Sequence, residues 1–281
     1  MILFKKASDL RRHIQIKKSE GKLVGFIPTM GALHQGHLGL IKSAKKQGTL
    51  TVCSIFINPT QFNDPNDFRN YPLSIEQDIV LLEKTGTDIL FLPGLEEIYP
   101  GGTSLLEHYD LGYLDTILEG RFRPGHFQGV CQVMSRLLSI VEPETLFMGQ
   151  KDFQQGMVIK ALLKLINSTT ELVLCPTERE PDGLAMSSRN IRLKPEERKK
   201  SVAIFEALVY LKKNLKPGVL TPLLDQAAAI LAKNDFSIDY IEIADLHSLE
   251  LIRQWNGQKP LIGLIAAFQQ DIRLIDNLVL G

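Results

Sequence analysis

Cysteine is scarce in this chain. Its three residues, Cys53, Cys131 and Cys175, are too few for a disulfide framework, and each lies inside an apolar run (TVCSIF, GVCQVM, LVLCP). Buried free thiols are the expectation, and with them a reducing, cytoplasmic compartment. There is no surplus of charge of either sign. Thirty-two Lys and Arg balance 32 Asp and Glu for a net charge of +0, which gives no support to bulk attraction to nucleic acid or a membrane surface. No apolar stretch approaches transmembrane length. The opening MILFKKASDLRR has too few apolar residues in a row for a signal peptide. Neither an internal repeat nor a low-complexity linker interrupts the chain. What remains is 281 residues with 44% hydrophobic content, enough for one large domain or two unequal ones.

The most informative stretch is LVGFIPTMGALHQGHLGLIKSAKK, residues 23 to 46. Leu23 to Ile27 is a short apolar run that predicts a buried strand, broken by Pro28, Thr29, Met30 and Gly31. Leu38, Ile41 and Ala44 then recur at helical spacing, with Lys42, Lys45 and Lys46 on the polar faces. The pattern is strand, tight turn, helix. His34 and His37 stand three residues apart at the turn and first helical turn, so both can face one way. A helix start offers unbonded N–H groups and a positive dipole end to a phosphate. Two imidazoles beside it can donate to oxygens on which negative charge grows during a reaction. Three readings compete: structural caps, half of a zinc site, or a nucleotide site. No carboxylate or Cys lies close in sequence to complete a zinc site, so no resident metal is expected. Gly36 between the histidines has no packing reason and leaves space for a ligand, which favours a nucleotide.

A second apolar strand, Leu50 to Ile57, ends in the turn Asn58-Pro59-Thr60-Gln61-Phe62. In open α/β sheets ligands sit at the carboxyl ends of strands, and the Gln61 amide can donate and accept at once, which suits a hydroxy acid. Residues 63 to 72 read as a polar loop. Ser74 caps a helix with Ile75, Ile79, Leu81 and Leu82 on its apolar face, and Asp88 to Leu92 is a third strand. Residues 94 to 128 are the least regular. Within them Arg121, Arg123 and His126 flank Pro124-Gly125, either as a solvated loop or as guards of an anionic pocket. Gly129 to Val141 predicts a largely apolar helix under the sheet, and Glu144 to Gly149 a fourth strand. The latter runs into Gly149-Gln150-Lys151-Asp152-Phe153-Gln154-Gln155 and a helix over Met157 to Ile166. Asp152 is a natural N-cap, Lys151 a point charge for phosphate, and Gln155 follows Lys151 at i+4. After a fifth strand, Leu172 to Cys175, the loop-like Leu184 to Asn190 carries two Ser and an Arg that can close over phosphates. This alternation predicts a Rossmann-like α/β parallel sheet for residues 1–176. Residues 177–281 lack a βαβ pattern. A helix from Pro195 to about Asn214, another over Thr221 to Lys233, and strands over Ile238 to Ile243, Leu261 to Phe268 and Ile272 to Leu274 or Leu278 to Leu280 predict a smaller α+β lid domain.

PTMGALHQGH resembles the H-x-G-H motif of the nucleotidylyltransferase superfamily, and AMSSR resembles its second, K-M-S-K-S-type loop, with Ala185 in place of the first Lys. With NPTQF, RPGHFQGV, GQKDFQQ and DGLAMSSRN in the same order, essentially the whole chain resembles the pantoate–β-alanine ligase family. That resemblance implies a two-step reaction. ATP and pantoate give pantoyl adenylate and pyrophosphate, and β-alanine then gives pantothenate and AMP, with Mg2+ accompanying ATP. It implies an ATP site of Met30, Gly31, Ala32, Leu33, His34, Gln35, Gly36, His37, Gly149, Gln150, Lys151, Asp152, Glu178, Met186, Ser187, Ser188 and Arg189. His34, His37, Lys151, Ser187, Ser188 and Arg189 are the implied catalytic set, with His37 in the proton-donor role. Gln61 and Gln155 are implied to hold pantoate and β-alanine, and a homodimer is implied. The chain departs from the family pattern at Glu178, where a small apolar residue is usual, and at Leu73, where an Arg often follows Tyr-Pro.

Two other functions stay open on sequence grounds. An enzyme of the same fold could transfer a nucleotidyl group to a phosphorylated acceptor, without need of Gln61 and Gln155. A non-catalytic nucleotide-binding module is the other, though every implied catalytic residue is in place. A nucleic-acid role, as in the tRNA synthetases that share the two motifs, is disfavoured by the zero net charge.

Overall fold

The computed structural model describes residues 1–104 and 106–281. The chain begins with β1 (Ile2–Phe4), α1 (Ala7–Ser19), β2 (Val24–Thr29), α2 (Gln35–Lys46) and β3 (Leu50–Ile55). A 3-10 turn, Pro59–Gln61, leads to α3 (Pro65–Arg69), α4 (Ile75–Thr85), β4 (Ile89–Phe91), α5 (Leu95–Ile98), α6 (Leu118–Phe122) and α7 (His126–Val141). Then come β5 (Thr145–Gly149), α8 (Phe153–Leu165) and β6 (Glu171–Cys175). The remainder is α9 (Pro195–Lys200), α10 (Ala203–Asn214), β7 (Gly218–Val219), α11 (Thr221–Ala232), β8 (Phe236–Asp245), β9 (Gln254–Trp255), β10 (Leu261–Gln269) and β11 (Ile272–Val279).

Six parallel strands form one sheet in the order β1-β4-β3-β2-β5-β6. The chain steps outward from β2 through β3 to β4, and later in the other direction through β5 to β6. The order therefore reverses between β2 and β5, the switch point at which such sheets open a crevice. Helices cover both faces. Phe26, Phe91, Phe127, Leu137 and Leu146 belong to one buried cluster, and Ile27, Ile41, Leu82, Leu90 and Phe147 to another. Successive strand residues such as Phe26 and Ile27 thus serve opposite faces, as the period of two requires.

The proline expected to break β2 lies inside it. Leu50 and Phe56 donate their N–H groups to the Leu23 and Thr29 carbonyls, so odd-numbered residues of β2 face β3. Glu144 donates to the Val24 carbonyl, so even-numbered residues face β5. Pro28 therefore turns its missing N–H toward β5, where pairing has already stopped at Phe26–Leu146. The defect that excludes proline from a central strand is harmless at this position.

Three other expectations change. The polar stretch 63 to 72 contains α3, started by the Asp64 side chain accepting from Asn66 N–H with Pro65 at the first helical position. The helix expected from Pro195 to Asn214 is two, α9 and α10, divided at Ser201-Val202. The helix expected from Met157 starts at Phe153.

The chain divides into two compact units. One comprises Met1–Gln150 with Gln154–Pro176 and holds the parallel sheet. The other comprises Thr177–Gly281 together with the short turn Lys151–Phe153. In it, β10 pairs antiparallel with β8 and β11, and a single cluster of Ala207, Leu208, Leu211, Ile243, Ile265 and their neighbours fills its core. The two candidate strands near the C-terminus are one continuous strand, β11.

Candidate active site

In the first unit, the loop joining β2 to α2 is built on one carboxylate. Asp78 of α4 is 1% exposed and accepts from Ala32 N–H at 2.9 Å and Leu33 N–H at 2.8 Å, while Ser74 Oγ donates to it at 3.1 Å. Ser74 stands at the N-cap position of α4, but its hydroxyl serves Asp78 and not the helix. Gly31 (φ 84°) and Ala32 (φ 49°) are both left-handed. That conformation is costly for Ala32, and the two hydrogen bonds to Asp78 offset the cost. A side chain at Gly31 would lie 3.1 Å from the Asp78 carboxylate. Sequence reasoning missed Asp78 and took Ile75 for part of the apolar face; Ile75 is 40% exposed. The signal was present, since Asp78 stands three residues after Ile75 and four before Leu82, a carboxylate on the stripe of an amphipathic helix.

His34 is the N-cap of α2 and His37 its third residue. His34 Nδ1 accepts from Gly36 N–H at 3.2 Å, and His37 Nδ1 accepts from His34 N–H at 3.3 Å. The rings lie 4.1 Å apart, centroid to centroid, at 41°. A ring nitrogen that accepts carries no proton, so both neutral imidazoles hold theirs on Nε2. The structural reading of these histidines as helix caps holds and uses only one nitrogen of each ring. One nitrogen of each ring caps the helix, and the geometry aims the N–H of the other away from the backbone.

Gln61 comes to the same place from the end of β3. Its Nε2 donates to Met30 Sδ at 2.9 Å, and its Oε1 accepts from Asn58 Nδ2 at 3.2 Å. The supports of this turn were not read from sequence. Asn58, 1% exposed, also donates to the Gly129 carbonyl at 3.0 Å and accepts from Tyr99 Oη at 2.9 Å. Arg123 donates to His126 Nε2 at 3.0 Å, which leaves His126 Nδ1–H to donate to the Gln61 carbonyl at 2.8 Å. Arg123 also reaches Glu119 at 3.5 Å, so this arginine braces the turn. Arg121 is exposed over the ring of Phe122. A cavity of about 170 Å3 opens at the carboxyl ends of the strands beside this loop, lined by Met30, Gly31, Ala32, Phe56, Ser74 and Asp78 among others. Of the glutamines on α8, Gln154 is the tied one, bonded to Glu119 N–H and to the Leu114 and Ile117 carbonyls. Gln155 is half-buried beside it. Gly149 ends β5, and Gln150 begins a 3-10 turn, Gln150–Asp152. Lys151 precedes α8 and is not on it, so the i+4 relation with Gln155 does not hold.

In the second unit, Lys151 Nζ lies 4.0 Å from Asp152 Oδ1 and the Lys151 carbonyl accepts from Asn277 Nδ2 at 2.8 Å. The strip Leu184 to Asn190, expected to be loop-like, begins as one arm of a small hairpin with Glu178 to Glu180. Arg179 bridges Ala185, Met186 donates to the Glu178 carbonyl at 3.0 Å, and Glu180 donates to the Leu184 carbonyl at 2.8 Å. The Arg179 guanidinium meets Asp276 in a fork at 2.6 and 3.0 Å and lies 4.2 Å from the centre of the Phe205 ring. Ser187 Oγ then accepts from Arg189 N–H at 3.2 Å and starts a 3-10 helix, Ser188–Arg192. Met186 and Ser187 before it, and Ser188 and Arg189 on it, are half-buried. Thr177 Oγ1 and Asn190 Oδ1, on either side of this strip, are buried without a hydrogen-bond partner.

The three thiols are buried and free. Burial pushes Cys53 up to about 12 and Cys131 up to about 12, and raises Cys175. Among the described residues, no group of three or more His, Cys, Asp or Glu could hold a metal ion, and no helix is long and apolar enough to cross a membrane.

A family model described as pantoate-beta-alanine ligase matches residues 2–279. A pantothenate synthetase from Cytophaga hutchinsonii is 44% identical over 283 residues, covering 100% of this chain and 99% of that one. One from Bacteroides fragilis is 41% identical over 271 residues, covering 96% and 95%. Among solved structures, a pantothenate synthetase from Thermus thermophilus superposes with a TM-score of 0.90 at 37% identity, covering 100% of this chain and 99% of that one. The pantoate-beta-alanine ligase of Francisella tularensis, complexed with beta-gamma ATP and beta-alanine, gives 0.81 at 36% identity, covering 99% and 97%.

Proposed function

The chain belongs to the pantoate-beta-alanine ligase family, and from that premise we propose that it condenses pantoate with β-alanine, driven by cleavage of ATP, through a pantoyl adenylate. The observation that carries this is the meeting of the two candidate sets in the first unit. The Gln61 amide, suited to a hydroxy acid, touches Met30 of the loop that leads to the paired histidines at the start of α2.

In the first step a pantoate carboxylate oxygen attacks the α-phosphorus. The new C(O)–O–P bond forms as the bond to the β-phosphate oxygen breaks, and pyrophosphate leaves. Negative charge spreads over the phosphoryl oxygens, so catalysis is positioning plus donors. His34 and His37 supply Nε2–H groups, with His37 donating to the departing phosphate. Lys151, Ser187, Ser188 and Arg189 supply further donors, and Met30 to His37, Gly149 to Asp152, Glu178 and Met186 are the residues assigned to the nucleotide. Buried Thr177 Oγ1 and Asn190 Oδ1 support a polar ligand at this strip. In the second step the neutral amine of β-alanine attacks the acyl carbon, AMP leaves, and the amine proton is lost. Gln61 and Gln155 hold pantoate, and Gln61 also serves β-alanine. Mg2+ accompanies ATP. The domain boundary at residue 176, the lid role of residues 177–281, a homodimer and a cytoplasmic location belong to the same proposal.

The test is exchange of labelled pyrophosphate into ATP with Mg2+ and without β-alanine. The expected outcome is exchange that requires pantoate and falls about 100- to 1,000-fold in His37→Ala. Exchange without pantoate, or an undamaged variant, overturns the reading.

A further inference from the structure

Strand β11 reads IRLIDNLV, and its two buried polar residues, Asp276 and Asn277, are each 2% exposed. Charged and amide side chains in an apolar strand need partners, and theirs include groups far away in sequence. Asp276 takes both nitrogens of the Arg179 fork and the N–H of Asn277 at 2.8 Å. Asn277 accepts from Arg179 Nη2 on its carbonyl at 3.2 Å and donates its side-chain N–H to the Lys151 carbonyl at 2.8 Å. Arg179 in turn donates to the Gly183 carbonyl at 3.0 Å, inside the hairpin that delivers Met186 to Arg189. Gly183 (φ 98°) sits so close to Phe205 that an added Cβ would lie 2.2 Å from the ring, which seats the hairpin against α10.

Two adjacent residues therefore hold two segments that are distant in sequence. One carries Lys151 and the other Ser187, Ser188 and Arg189. We propose that Asp276 and Asn277 are positioning residues for the phosphate-binding groups. Asn277 sets the backbone of the Lys151 turn, and Asp276 sets the Ser187–Arg189 strip through Arg179. The inference rests on the assignment of Lys151 to the phosphates of ATP. Neither residue touches substrate. Each acts by fixing where a donor stands, and misplacement by a fraction of an ångström is felt in the rate.

The test is a double-mutant cycle on pantoate-dependent pyrophosphate exchange, using the full chain, with Asn277→Leu, Lys151→Ala and the pair. Leu keeps the branched shape of Asn, with bulkier ends, and removes its donor. The expected result is an Asn277→Leu protein that exchanges about tenfold more slowly at saturating substrate, with KM for pantoate within about twofold of wild type. In the Lys151→Ala background the same substitution should cost less than about twofold, since the group it positions is gone. Equal costs in the two backgrounds, or an unslowed Asn277→Leu, overturn the proposal. If Asn277→Leu does not fold, the smaller Asn277→Ser goes through the same cycle with the same two outcomes. A wild type without pantoate-dependent exchange, or an undamaged Lys151→Ala, fails the underlying assignment and is seen before the cycle is closed.

Discussion

At the scale of single residues, the strongest constraint is a carboxylate that touches no substrate group in the proposed mechanism. Asp78 gives one oxygen to each of two backbone N–H groups, and an amide in its place has one oxygen to offer. Asp78→Asn should lose about 1–3 kcal/mol of stability, the cost of a buried unsatisfied N–H, measured by urea unfolding. The same variant should slow pantoate-dependent exchange, because Ala32 and Leu33 lead directly into His34. Thiol reactivity is set at this scale too. A thiol raised to about 12 by burial is protonated at pH 9, so the folded protein should resist alkylation there and take up three equivalents once denatured. Because the unfolded thiols lose protons above roughly 8.5 and the buried ones do not, stability should fall as pH rises above that point toward 12. The sequence made His34 and His37 legible because their spacing at a strand–helix junction has few uses. It hid Asp78, whose meaning depends on which loop comes back over α4.

At the scale of elements, the turn Pro59–Gln61 and helix α7 approach at one glycine. A Cβ at Gly129 would stand 2.2 Å from the Thr60 carbonyl oxygen and 2.6 Å from Gln61 N, both backbone atoms that cannot rotate aside. Gly129→Ala should therefore cost about 1–3 kcal/mol, as overpacking usually does, and raise KM for pantoate in the exchange assay through displacement of Gln61. An unchanged KM in a folded variant would show that the turn tolerates the shift. Most elements were legible from periodicity alone. α3 was not, although Asp64-Pro65 is a standard helix start, because five residues carry too little pattern against a run of turn formers. The division at Ser201 was hidden for the opposite reason, since α9 and α10 read as one stripe.

At the scale of the whole molecule, the two units have separate cores, and substitutions in each should act independently. Phe127→Ala in the first and Leu208→Ala in the second, both 0% exposed, should each cost about 3–5 kcal/mol, and their effects on denaturant unfolding should sum within about 0.5 kcal/mol. A clear departure from the sum would mean that the cores share a cooperative boundary. The parallel sheet was legible from alternating strands and helices. The grouping of Lys151–Phe153 with residues 177–281 was not, because it rests on contacts with residues distant in the chain, such as the asparagine 126 positions later that bonds the Lys151 carbonyl. Pro28 carries the last consequence. Strands zip together wherever both edges can bond, and nothing in an apolar sequence tells them to stop. By withholding one hydrogen on the side of β2 that faces β5, this proline works like the end stop on a zipper. The seam between the two halves of the sheet ends at Phe26–Leu146, and the end of this strand is left unfastened on one edge by an atom that is not there.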